Sequence, residues 1–302
     1  MLMYMIDSLE SVSHVESEAG MAIAHYYQSM KLSRHEAIND FSAIFLGSPY
    51  ELTALGEGVH GDFDHFPLYR VDAFDCQTFV ETVMALSWSQ SFEEFHQKKL
   101  FVSYSDQSID YLHRAHFICM DWSHLLNTGR YLLDISKSLA DEEGGLSVHA
   151  SSVVIDRSKW FQEKTFKSAR LLDGSSDAAI NRQLQALHCH AASIAPQKSD
   201  LNCILGKDLF CLPADRRRDL LASIPSGSVM KIICTNNSFC EKSQSGIHVR
   251  HLGFVVHYNN GVFFRHASSD QGCVTDDLCE DYLQRFMRRF PKMGIVIYQV
   301  LL

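Results

Sequence analysis

The chain has 302 residues, of which 46% are hydrophobic and 21% charged, enough apolar material for one large core without disulfide or metal staples. Its net charge of -9 argues against a nucleic-acid groove, since neutralising phosphates takes clustered Lys and Arg; the densest basic run, Arg216-Arg217-Arg218, is bracketed by Asp215 and Asp219 and reads as a solvated helix face. Nine cysteines without a CxxC suit a reducing compartment and supply no structural-zinc spacing, and neither a signal peptide nor a run of ~18 apolar residues is found, so the chain reads as cytoplasmic, or exported without an N-terminal signal peptide, and not bound to a membrane.

In chain order, residues 17–46 read as helix, with Ser33 and Glu36 forming a capping box ahead of Ile38, Phe41 and Phe45, and Gly47 ending it. Gly47 to Tyr69 is rich in Gly, Asp and His without a sustained period, a long loop of the kind that carries function. Phe74-Asp75-Cys76 leads into Phe79, Val80, Val83 and Met84 at helical spacing, which sets Cys76 in the first turn of a helix with an inward apolar face. Ser91 to Glu94 opens a further short helix. Tyr111 to Trp122 is aromatic and of mixed period, and no element is assigned to it.

Residues 141–207 are polar and rich in small residues, with a helical patch over Ile180, Leu184 and Leu187, and read as an insertion or a cover on the core. From Val229 the pattern turns to short β-branched runs: 229–234, 249–257, 262–266 and 295–301 read as strands. Asn259-Asn260-Gly261 is the hairpin turn between the middle two, and 278–290 reads as helix. Helices first and an antiparallel sheet last make an α+β chain, read as a single catalytic domain over 1–302 with a helical segment at 1–46.

A thiol attacks a carbonyl as thiolate, and a helix N-terminus favours that form through its unpaired N–H groups and dipole. Of the nine cysteines only Cys76 has that placement. His251 lies near the start of a strand, where a base is held rigidly. His266 lies on the partner strand. A turn centred at Asn260 pairs position 251 with about 269, so His266 falls about three residues from directly opposite His251, and twist or a bulge is needed to let its ring orient the base.

The combination resembles the NlpC/p60 superfamily of papain-like cysteine hydrolases: Asp75-Cys76 at a helix start, then His251-Leu252-Gly253-Phe254, then His266-Ala267-Ser268-Ser269. The resemblance is closer to its N-acetylmuramoyl-L-alanine amidase-like branch (domain of unknown function 1460), matched in patches from about 40 to 300. The matches are Phe45-Leu46-Gly47-Ser48-Pro49-Tyr50, Phe74 to Glu81, Arg114-Ala115-His116-Phe117, Asp121-Trp122 and the tail from Val274 to Leu283. It implies an antiparallel sheet packed on the nucleophile helix, with Cys76 as nucleophile, His251 as general base and then acid, and His266 as orienter. Tyr50 and Asp75 would lie at the thiolate, with the Tyr50 hydroxyl helping to hold an oxyanion, and Arg114, His116, Asp121 and Trp122 would line the substrate cleft. Trp122 reads equally as core, Tyr50 as a loop plug and Asp121 as a helix cap. Gly227-Ser228 stands where the family has Gly-Asp, and 142–207 has no family counterpart, which leaves the substrate-facing surface open.

The activity implied is hydrolysis of the amide between N-acetylmuramic acid and L-alanine, or of a stem-peptide bond, in a muropeptide or peptidoglycan fragment, through a thioester and without cofactor or metal. Two other readings stay open: a secreted effector using the same Cys-His site as an acyltransferase or hydrolase on a host or competitor target, and a binding module that has kept only the fold.

Overall fold

The computed structural model describes residues 5–29, 36–104, 108–140, 146–235 and 248–302. The helices are α1 (Leu9–Ser29), α2 (Ala37–Ile44), α3 (Cys76–Ser87), α4 (Phe92–Ser103), α5 (Ile118–Asp121) and α6 (Ser123–Asn127) in the first part of the chain. Next come β1 (Leu132–Asp134), α7 (Ser136–Leu139), β2 (Val148–Ile155), α8 (Arg157–Gln162), α9 (Asp177–Ala191), β3 (Gln197–Leu205), α10 (Gly206–Cys211) and α11 (Ala214–Ser223). The last part holds β4 (Ser228–Cys234), β5 (Val249–Tyr258), β6 (Gly261–Ser268), β7 (Cys273–Leu278), α12 (Cys279–Arg289) and β8 (Met293–Val300).

All strands pair antiparallel in one sheet of order β2-β3-β8-β4-β5-β6-β7, with β1 added alongside β8. Its central strand β4 is buried along its whole length, because helices cover both faces. On one face Val229, Ile233, Leu252, Phe254 and Val296 meet α1 to α4. On the other, Met230, Ile232, Val255, Phe264 and Ile295 meet Leu209 of α10, Leu221 of α11 and Leu283 of α12. The alternation along each strand fixes which residues face which helical layer.

Three sequence expectations are corrected here. Residues 17–46 hold not one helix but the end of α1 and all of α2; Ser33, half of the expected capping box, lies outside the described residues, and Glu36 caps α2 without a side-chain hydrogen bond. Residues 148–205 do not merely cover the core: β2 pairs with β3 over eight positions and β3 joins β8 through Ile204↔Ile295, so this stretch extends the sheet. The alternating polar outer face of β2 and β3 hides them from a search for apolar runs. Finally, the sheet is not confined to the end of the chain, since β1 to β3 precede β4.

Candidate active site

The first element of the site is the start of α3. Asp75 is its N-cap: its Oδ1 accepts from Thr78 N at 2.8 Å, and its own N–H donates to Thr78 Oγ1 at 2.9 Å. Its Oδ2 accepts from Thr53 N at 3.1 Å, so both oxygens serve the backbone and neither is presented to a ligand. The helix is anchored further in by Glu81, whose Oε2 takes Lys99 Nζ at 3.0 Å and Ser103 Oγ at 2.7 Å, all three buried. Apolar packing does the rest, with the Phe79 and Phe254 rings 5.8 Å apart. Cys76 is thereby held at the first position of α3, with the backbone N–H groups of Leu252, Gln77 and Cys76 itself directed at its sulfur. Leu252 is the neighbour of His251 on β5.

The thiol is nonetheless not a preformed thiolate. Burial first, and then the Asp75 carboxylate, push it up to about 12, and the N–H groups only partly oppose them. The N–H groups at the helix start lower its pKa as expected, but desolvation, which disfavours the charged form, outweighs them.

The two histidines come together as a consequence of the hairpin. Asn259 and Asn260 both have positive φ, 47° and 58°, and form a two-residue turn closed by Tyr258↔Gly261. The turn therefore excludes Gly261, and the register differs by one residue from that expected. Carried on from Phe254↔Arg265, it sets Ser268 across from His251 and His266 across from Gly253. An offset of two residues keeps both imidazoles on one face, where an offset of three would have put them on opposite faces. No twist is needed to bring them together. Gly253 leaves the space between them open, for a Cβ there would lie 2.8 Å from His266 Cβ and 2.5 Å from the Arg265 carbonyl oxygen.

His251 Nε2 and His266 Nδ1 are 2.8 Å apart, with ring planes at 89°. His251 Nδ1 has no hydrogen-bond partner among the described residues. Burial, followed by the neighbouring His266 ring, drives the His251 pKa down to about 3, which favours its neutral form. On the far side, His266 Nε2 meets Asp277 Oδ2 at 3.1 Å. Tyr282 of α12 packs its ring against His266 at 4.7 Å and His251 at 6.0 Å, and its hydroxyl pKa is raised by burial and then by Cys76. A cavity of about 660 Å³, lined by Arg250, His251, His266, Ser268, Asp277 and Tyr282 among others, opens on these rings.

Residues 40–291 match the family described as AmiA-like, N-acetylmuramoyl-L-alanine amidase-like. A solved protein of Legionella pneumophila strain Philadelphia 1, assigned to domain of unknown function 1460, is 32% identical over 96% of this chain and 97% of its own, with a TM-score of 0.89. The chain belongs to the AmiA-like family. A crystal structure of an N-acetylmuramoyl-L-alanine amidase from Bacteroides uniformis shares its fold at a TM-score of 0.60 and 18% identity, covering 89% of this chain and 99% of that one. No curated protein matches.

The other positions singled out in this AmiA-like chain fall in different places. Tyr50 lies beside the thiol, fixed by its N–H to Gly272 O at 2.8 Å and bridged to Phe74; burial, then Cys76 and Asp75, push its hydroxyl up to about 12. Arg114 is turned away from open solvent, pairing with Asp64 at 3.3 Å, and its charge acts on Asp75 from behind the cap. His116 bonds the Tyr111 carbonyl at 2.7 Å and packs its ring, tilted or edge-on, among Tyr111, Trp160 and Phe161. Asp121, the last residue of α5, accepts from Phe117 N at 2.7 Å and pairs with Arg157; it is not the N-cap of α5 or α6, which are Phe117 and Trp122. Trp122 is fully buried in the main core with Lys231 over its ring at 4.4 Å, so it is a core residue, not a cleft wall. Asp277, Tyr282 and Arg285 were missed. Asp277 and Tyr282 lie in the family-like tail and Arg285 just beyond it, but without β7 assigned as a strand nothing placed them beside the histidines. Among the described residues no group of three or more His, Cys, Asp or Glu is arranged to hold a metal ion.

Proposed function

We propose that this protein is a cysteine amidase of the papain-like NlpC/p60 type, hydrolysing the amide between N-acetylmuramic acid and L-alanine in soluble peptidoglycan fragments. The observation that carries the reading is the His251–His266 contact of 2.8 Å at the strand residue next to the N–H that meets the Cys76 sulfur. The family match supports the bond class.

In this reading Cys76 and His251 rest as a neutral pair, and the proton moves as the substrate carbonyl arrives. The thiol proton passes to His251 Nδ1 while sulfur bonds the lactyl carbonyl carbon, and the oxyanion is met by the Tyr50 hydroxyl. His251 returns the proton to the L-alanine nitrogen as the C–N bond breaks, releasing the stem peptide and leaving a thioester on Cys76. Water then attacks the thioester, His251 again taking a proton, and the free muramic acid carboxyl departs as the thiol is restored. Incubation with defined muropeptides, products read by mass, should give free stem peptide plus the sugar acid with the native protein and neither with Cys76→Ala. Unchanged release by the variant removes the proposal, and cleavage inside the stem replaces the bond while keeping the site.

A further inference from the structure

The acceptor-only partner at the outer end of the histidine pair has a consequence for the inner end. An ionised carboxylate accepts hydrogen bonds and donates none, so a ring nitrogen that meets it must carry the proton. Asp277 Oδ2 meets His266 Nε2 at 3.1 Å; His266 Nε2 is therefore N–H, and in the neutral ring Nδ1 is bare. That bare nitrogen faces His251 Nε2 at 2.8 Å, which must then be N–H, leaving His251 Nδ1 bare in turn. We propose that Asp277 is a positioning residue of this site, setting the tautomers of both histidines so that His251 offers a lone pair, not a proton, to Cys76. The inference rests on the reading of Cys76 as nucleophile.

The carboxylate is itself held in place. Its Oδ1 takes Arg285 Nη2 at 2.5 Å and its Oδ2 takes Gln271 Nε2 at 3.0 Å. The hydrogen bond from His266 first, and then Arg285, keep it below the usual carboxylate range against the opposing cost of burial. The register makes the contact possible: Asp277 pairs with Phe264 and Thr275 with His266, so Asp277 sits diagonally across from His266 on the same face of the sheet. Arg285 arrives from α12 one turn beyond Tyr282, whose ring closes over both imidazoles.

Replacing Asp277 by Asn keeps the size but adds an N–H₂ that can donate to His266 Nε2. The chain then reverses, and a proton is parked on His251 Nδ1 where the lone pair is needed. The test is the ring-nitrogen NMR spectrum of the ¹⁵N-histidine-labelled protein, read without substrate. Native protein should show bare Nδ1 and protonated Nε2 in both rings, and Asp277→Asn a reversed or mixed pattern. Identical patterns in the two proteins, or a protonated His251 Nδ1 in the native one, would overturn the assignment. With muropeptide, Asp277→Asn should lose about 10- to 100-fold in kcat with KM within about twofold, the scale on which outer partners act through a ring. Asp277→Glu should recover part of the loss, and no loss in Asp277→Asn would also count against the role. Arg285→Ala, at an exposed helix position, keeps the carboxylate and removes only its clamp, so it serves if Asp277→Asn fails to fold: a several-fold fall in kcat is expected, and an unchanged kcat counts against the clamp. Should the native protein release nothing from muropeptides, the amidase reading fails while the tautomer spectrum still decides this one.

Discussion

At the scale of single residues, the site is governed by the cost of charge in a buried place. Cys76 and His251 each pay a desolvation penalty that favours the neutral form, the first up to about 12 and the second down to about 3. The Asp75 carboxylate adds to the thiol's shift, and Arg114 behind it gives only partial relief. Asp75→Asn should retain the cap, since Asn serves at that position nearly as well as Asp, while removing the negative charge beside the sulfur. The thiol pKa should fall, and iodoacetamide labelling of Cys76 at pH 8 should speed up by about tenfold for each unit of the fall. Labelling no faster than native would mean that burial alone sets the thiol. In the native protein, labelling at neutral pH should be slow, because activation waits for the substrate.

At the scale of elements, the decisive fact is the register of β5 on β6. The sequence made both strands legible, and it made Cys76 at the head of α3 legible through the run Phe79, Val80, Val83, Met84. What it left one residue off was the turn, because Asn-Asn-Gly admits either of two placements of the φ > 0 pair and only the sheet chooses between them. That single residue decides whether the histidines share a face. β7 was not legible at all: Cys273–Leu278 carries Thr275, Asp276 and Asp277 on a strand half open to solvent, and its pairing with β6 is a long-range fact. Arg114, His116 and Asp121 were legible as notable residues but not in their roles, since aromatic and polar neighbours from α8 and the 57–64 loop meet them only in three dimensions. The register also makes Gly253 a sensitive position. Gly253→Ala should push His266 off its strand, at about 1–3 kcal/mol of stability and at least about tenfold in activity, measured by urea unfolding and muropeptide release. Retained activity would mean that the strand shifts to make room.

At the scale of the whole molecule, the buried histidines tie stability to pH. His248, between Ser151 and Ser199 hydroxyls at 2.9 and 3.1 Å, is pushed down to about 4 by burial, and His251 to about 3. His116 lies well below its usual value for the same reason. The unfolded chain binds these protons near pH 6.5 while the folded one does not. The unfolded state therefore holds more protons between pH 6.5 and the folded values, and stability falls as pH drops through that window. Each such histidine costs roughly 2 kcal/mol between pH 7 and pH 5. Glu57 works the other way: its pKa is raised by burial and by Asp64, so it favours the folded state as pH falls toward the unfolded value. Urea unfolding at pH 7 and pH 5 should show the native protein losing stability with acid, and His248→Asn should lose less between the two pH values. An equal loss in that variant would place the acid sensitivity elsewhere. The central claim is chemical, however, and the most direct measurement is to quench a single turnover with muropeptide in acid and weigh the protein intact. A muramoyl adduct that maps to the peptide containing Cys76, formed together with free stem peptide, is the predicted result. Stem peptide released with no adduct, in a protein whose Cys76→Ala variant releases it equally fast, would contradict the account.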